Sequence, residues 1–321
     1  MNPELRLSVL DTAPITHGSS AGTALRESVE LARLADDLGY HRYWLPEHHG
    51  MSGVASAAPA VVGARIASVT RRIRVGAGGV MLPNHPPIVV AEQCGTLEAL
   101  HPGRIDLGLG RALGGPRSVT DRLRGERTTP FEAQVRELLE LFDAEDGRAP
   151  AVPAAGNRPE IWLLGSGDHT AEMAGRLGLP FAAAHHLAPL NTAAATYRQA
   201  FVPSVLCPAP RVAVSVAAIV AESDERAHWL AGPLRMKVAR RREGRPIRLM
   251  SPEIAAAQGP DTEPDGVFVG AADTVLPQLR ALAEQTGAGE LIVKTDIYDP
   301  ADRRRSYELL IGGHADGRLV P

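Results

Sequence analysis

Cysteine is nearly absent from this chain of 321 residues: Cys94 and Cys207 are the two it has. A disulfide framework and a tetrathiolate metal site both need more, so both are excluded. Cys94 falls in a helical pattern with Ala91 and Leu97, where a small buried hydrophobe is the natural reading and a catalytic thiol is not. Lysine is equally scarce, with Lys237 and Lys294 alone among basic residues that are otherwise arginine. That skew reads as coding bias and carries no functional weight. The start Met1-Asn2-Pro3-Glu4 leads directly into a strand, without the basic residues and apolar core of a signal peptide. No apolar stretch approaches the length of a membrane span. The net charge of −3 lacks the basic excess that nucleic acid or an anionic membrane would attract. With 44% hydrophobic and 22% charged residues the chain can bury a large core, and a cytoplasmic enzyme is the expectation.

What the chain does have is a repeated motif between Tyr43 and Gly115. An apolar run ends in polar or glycine residues, and a helical segment follows. Tyr43-Trp44-Leu45 ends in Pro46-Glu47-His48-His49, Ile73-Arg74-Val75 in Gly76-Ala77-Gly78-Gly79, and the run from Arg104 to Leu109 in Gly110-Arg111. In a parallel sheet these endings gather at one rim, where such folds place their ligands. Strands are predicted at 5–10, 41–45, 73–80, 105–109, 161–164, 181–184, 212–220 and 290–295. Helices are predicted at 22–38, 57–69, 88–100, 131–142, 169–177, 190–201, 227–240, 274–285 and 303–310. Eight strand–helix units without a sharp composition shift argue for a single α/β domain, a (β/α)8 TIM barrel over 1–321. The Arg-, Pro-, Glu- and Gly-rich segment 241–266, between the seventh and eighth units, reads as an irregular insertion, either disordered or a lid over the site.

Gly108-Leu109-Gly110 lacks the third glycine and the distal acidic residue of the dinucleotide fingerprint, so a classical NAD fold is disfavoured. Leu164-Gly165-Ser166-Gly167-Asp168-His169-Thr170 instead follows a strand and opens a helix, a geometry that lets backbone N–H groups and two hydroxyls converge on an anion. The bland alternative is that Ser166, Asp168 or Thr170 caps that helix. Arg111, on the same rim, can supply the cation for a phosphate or form an ordinary surface ion pair. Two adjacent histidines at a strand end point to opposite sides and no third ligand follows at motif spacing, so His48 and His49 are not read as a metal site. His48 suits proton transfer, with structural hydrogen bonding as its rival.

Trp44-Leu45-Pro46-Glu47-His48-His49, the run Gly78 to Pro87, Ala91-Glu92-Gln93, the run His101 to Arg111, Leu164-Gly165-Ser166-Gly167 and Gly178-Leu179-Pro180-Phe181 resemble, in order and spacing, the bacterial luciferase-like family of flavin-dependent monooxygenases. The resemblance covers essentially the whole chain. It implies a TIM barrel that takes reduced FMN from a separate NAD(P)H:flavin reductase and activates O2 as a C4a-(hydro)peroxyflavin to oxygenate a small organic substrate, such as an aromatic or polyketide intermediate in secondary metabolism. It places His48 as the catalytic histidine and Gly78-Gly79, with Ala77, as a cis peptide under the flavin ring. Arg111, Leu164, Gly165, Ser166, Gly167 and Thr170 take the FMN phosphate site, and His49, Met81 and His85 the substrate side. Gly110 stands where luciferase has a reactive cysteine, and Asp168 puts a carboxylate beside the phosphate. Apolar cover at the mouth is expected from Met51, Val54, Met81, Leu82 and Leu113. The resemblance also implies a homodimer, for which helices 57–69 and 88–100 are the candidate faces. The alternatives are F420-dependent hydride transfer on the same fold and a non-catalytic flavin-binding protein.

Overall fold

Apolar stretches that end in glycine or polar residues become parallel strands, and the periodic stretches between them become the helices that cover the sheet. The computed structural model describes residues 5–123, 128–144, 150–186, 192–245 and 247–313. Among them the order is β1 (Arg6–Leu10), α1 (Ala21–Leu38), β2 (Arg42–Leu45), α2 (Pro59–Ala67), β3 (Arg74–Met81), α3 (Pro87–Leu100), β4 (Ile105–Gly110), the single turn α4 (Arg117–Thr120) and α5 (Phe131–Asp143). It continues through β5 (Glu160–Gly165), α6 (Asp168–Arg176), β6 (Phe181–Ala184), α7 (Ala193–Ala200), β7 (Val212–Ala221), α8 (Asp224–Arg242), α9 (Pro252–Gln258), β8 (Val267–Ala271), α10 (Ala272–Thr286), β9 (Glu290–Lys294) and α11 (Pro300–Gly313). The predicted start of α7 at Leu190 lies outside the described residues.

The ring runs from β1 through β7 in chain order and closes because β9 pairs with both β7 and β1, all parallel. This is the (β/α)8 TIM barrel expected. Two features differ from the sequence reading. The segment 241–266 is not wholly irregular: Ser251 accepts from the Ile254 N–H and Pro252 sits at the first helical position, so α9 forms. A ninth strand, β8, follows it, paired with Ala217–Ala221 of β7 and so lying outside the ring.

Alternation along the strands sorts side chains into two cores. Outward residues such as Val9, Tyr43, Leu45, Val75, Leu107, Leu163 and Val293 pack against the helices. Inward residues Leu10, Trp44, Trp162, Ala182, Ala213 and Ile292 form a separate cluster inside the ring. Beneath it, at the strand starts, the barrel is plugged by charge. Arg42, fully buried, donates to Asp106 at 2.7 Å and Glu290 at 2.6 Å, and lies 4.8 Å from the Trp162 ring centroid. Arg74 and Arg211 bond Asp106 and Glu160, which balances three carboxylates with three guanidiniums. With the lower end closed, the open end at the strand C-termini is left for ligands.

Candidate active site

Glu47 organises the rim beyond β2. Its carboxylate is buried and accepts from His49 Nε2 at 2.7 Å, His85 Nε2 at 2.9 Å and Asn84 Nδ2 at 3.3 Å on one oxygen, and from the Met81 N–H at 3.1 Å on the other. Burial pushes its pKa up, but the hydrogen bonds from His85 and His49, and then the Met81 amide, outweigh that and hold it below the usual carboxylate range. The three residues expected on the substrate side, His49, Met81 and His85, are thus tied to one side chain. Asn84 donates further to the Leu113 carbonyl, and His49 N–H to the Gly114 carbonyl, which lays the loop after β4 across this cluster.

His48 points elsewhere. Its backbone N–H bonds the Ser56 carbonyl, while its ring Nδ1 is buried with no hydrogen-bond partner. Burial first, then the charges of Lys294, Lys237, His49 and Arg241, push its pKa down to about 4, so the imidazole is neutral at pH 7.

The floor beside it is glycine by necessity. The Gly78–Gly79 peptide is cis, the conformation the family resemblance implies. A Cβ on Gly78 would stand 2.7 Å from Trp44 Cε3, and one on Gly79 2.6 Å from the Gly108 carbonyl oxygen. Ala77, one residue earlier, is buried.

The residues of the expected anion site fall on two neighbouring strands. Leu109 of β4 and Leu163 of β5 are register partners, so Arg111 and Gly165, two residues further on, stand level on neighbouring strands at the rim. Arg111 is exposed, as are Ser166 and Gly167, whereas Leu164 and Gly165 are partly covered and Thr170 is buried. No side chain caps α6: its N-cap is Gly167, and the capping alternative does not occur. Asp168 is turned onto the Thr192 hydroxyl at 2.7 Å. The open N–H groups at the helix start therefore face the rim.

Some expectations fail and some residues were missed. Leu82 is fully buried in the outer core and cannot line the mouth, although Met51, Val54, Met81 and Leu113 are part-exposed there. The lysine skew, read as carrying no weight, hides a convergence: both Lys237 Nζ, at 2.9 Å, and Lys294 Nζ bond Asp296 Oδ2. His186, just past β6, bonds Ser215 Oγ of β7 at 2.7 Å, and its pKa falls to about 3 through burial and then the charge of Lys294. The available signal for Lys294 was alternation, since it lies two residues past the inward Ile292. The described part of the insertion is pinned by Leu249, which bridges Thr16, and by Arg248, which bonds the Ser52 carbonyl. Among the described residues no group of three His, Cys, Asp or Glu side chains is arranged for a metal ion, and no helix is long and apolar enough to cross a membrane.

The family profile described as luciferase-like monooxygenase matches residues 5–290. The chain belongs to the luciferase-like monooxygenase family. Like its relatives it is an enzyme, a monooxygenase of the flavin-dependent kind. A luciferase-like monooxygenase of Escherichia coli K12 is 41% identical over 320 residues, covering 95% of this chain and 96% of its own. The crystal structure of apo-MsnO8 superposes with a TM-score of 0.91 at 40% identity, covering 99% of both chains. The oxygenating constituent of 3,6-diketocamphane monooxygenase from the CAM plasmid of Pseudomonas putida, solved with FMN, shares the fold of this luciferase-like chain. Its TM-score is 0.75 at 23% identity, with 99% of this chain and 100% of that one covered.

Proposed function

We propose that this chain is the oxygenating component of a two-component system, which receives reduced FMN from a separate NAD(P)H:flavin reductase and uses O2 to oxygenate a small organic substrate. The observation that carries the reading is a rim with an uncapped helix start level with Arg111, a side-chain-free Gly78–Gly79 floor and a buried His48 Nδ1 without a partner. The FMN-bound structural neighbour supports the choice of flavin.

Arg111, Ser166, Gly167 and Thr170 would hold the phosphate, Arg111 by charge and the α6 start by backbone N–H groups. Asp168, occupied by Thr192, is drawn away from that anion. Ala77, Gly78, Gly79, Leu164 and Gly165 would lie under the ring system, where any added Cβ on the two glycines would collide with the barrel. Reduced FMN, when bound, supplies the electrons that activate O2. His48 Nδ1, neutral at pH 7, is the protein atom free to accept a proton there and return it. Met51, Val54, Met81 and Leu113 exclude water, and His49, Met81 and His85, fixed by Glu47, face the substrate. A tailoring step on an aromatic or polyketide intermediate is the substrate reading, and the cytoplasm the compartment. A homodimer through α2 and α3 is supported by Val61 and Leu100, which are 71% and 67% exposed on those helices.

The test is anaerobic titration of the protein with reduced FMN and, separately, reduced F420, followed by mixing with oxygenated buffer while absorbance and peroxide are recorded. Tight FMN binding with oxygen uptake, and faster peroxide release from His48→Ala, are expected. Preference for F420 without oxygen uptake would move the chain to hydride transfer, and flavin binding without any reaction with O2 to a non-catalytic role.

A further inference from the structure

The barrel mouth carries a charge cluster that flavin binding does not use. Lys294 ends β9 on the inward face, directly above Ile292, and Lys237 reaches in from α8. Both ammonium groups bond the same oxygen of Asp296, whose other oxygen is buried without a partner. Asp296 is sealed at 2% side-chain exposure, while Lys294 keeps 15% and Lys237 12%, so the cations are the more open members of the cluster. Burial lowers the Lys294 pKa and the Asp296 carboxylate opposes that shift; with both lysines charged, two ammonium groups against one carboxylate leave an uncompensated positive charge. An ammonium has three N–H donors, and each lysine spends one here on Asp296. The charges that lower the His48 pKa after burial are led by these same two, Lys294 and then Lys237. His48 and His186, on the opposite walls, are held neutral and offer no competing charge. Arg303 lies nearby but is already matched by Asp11 at 2.6 Å.

We infer that Lys294 and Lys237 form an anion subsite that binds the carboxylate of a small organic acid substrate, beside the flavin floor. An anion there is attracted by the spare charge and by N–H donors already desolvated on their protein side. The subsite names the substrate class of the monooxygenase proposed above and rests on that reading, but its binding chemistry can be measured without flavin.

Calorimetric titration of the apo-protein with benzoate and benzamide, and with hexanoate and hexanamide, separates charge from shape. The carboxylates should bind roughly tenfold or more tighter than their amides, the scale of one charge-assisted hydrogen bond. Lys294→Met and Lys237→Met should each abolish that preference, and Asp296→Asn, which raises the local charge, should strengthen it. A purely structural cluster would not give opposite signs for its two kinds of member, and Asp296→Asn keeps the test valid if a lysine variant fails to fold. Equal binding of acid and amide by wild type, or an unchanged preference in Lys294→Met, overturns the subsite. Reduced FMN affinity should stay within about twofold of wild type in Lys294→Met, since Lys294 at the end of β9 stands across the ring from Arg111 beyond β4. A large loss would reassign the cations to the flavin's own anionic groups and overturn the substrate assignment. Failure of wild type to bind flavin sinks the monooxygenase reading and leaves the benzoate result standing.

Discussion

Glu47→Gln removes one charge and no volume, and its cost can be worked from the four donors that meet there. An amide has one acceptor oxygen. Turned toward His49, His85 and Asn84, it presents its NH2 to the Met81 N–H, and that part-buried donor is left unpaired at about 1–3 kcal/mol. The other three bonds fall from charge-assisted to neutral, about 1 kcal/mol each, and less for the partly exposed histidines. The sum is about 3–5 kcal/mol, which in a chain of this size lowers the melting temperature by about 5–8 °C. Because the folded-state pKa of Glu47 lies below its unfolded value, its stabilisation is complete above the unfolded pKa near ~4.3 and is lost as pH falls through the folded one. Differential scanning calorimetry of wild type and Glu47→Gln at pH 7 and across the acid range should show the gap at pH 7 and its closing below about pH 4. A variant that melts within about 1 °C of wild type at pH 7 refutes the idea that this carboxylate holds the rim together.

Gly78→Ala drives a methyl against Trp44 and should cost about 1–3 kcal/mol, whereas Gly167→Ala, whose Cβ meets nothing within 4 Å, should stay within about 0.5 kcal/mol by thermal unfolding. Arg42→Met leaves Glu290 buried without a cation, while Asp106 keeps Arg74, and should cost about 3–5 kcal/mol, with Glu290→Gln in the same chain restoring part of it. His48, folded near 4 against 6.5, takes up a proton in the unfolded chain first, so stability rises with pH between those values. His48→Gln should flatten that slope in acid unfolding curves, by at most about 3 kcal/mol.

The barrel was legible because its signal is periodic: every strand of the ring ends in glycine or polar residues and is followed by a helical stretch. The strand β8 escaped because Val267–Ala271 fell between the segment 241–266, judged by composition, and the helix predicted from 274; within that segment Ser251-Pro252-Glu253 marks the start of α9. Of the site, the residues contiguous along the chain could be read, such as Glu47-His48-His49 and the turn before α6. Lys237, Asp296, His186 and Ser215 meet only because the ring closes, and no local spacing encodes a contact between residues 59 apart. Asn84 was likewise invisible as a partner of Glu47, 37 positions away.

The length of β7 has a consequence for how such a barrel can change. Its first half holds the ring together through β6 and β9, and its second half, Ala217–Ala221, branches away to pair with β8. The strand is a fork: one tine closes the cylinder and the other carries α8, α9 and β8 as a detachable wall. Substitutions in that wall, Lys237 included, can reshape one side of the mouth while every hydrogen bond of the ring and the whole glycine floor stay as they are. On the function proposed above, one scaffold can thereby keep its cofactor seat and exchange its clientele.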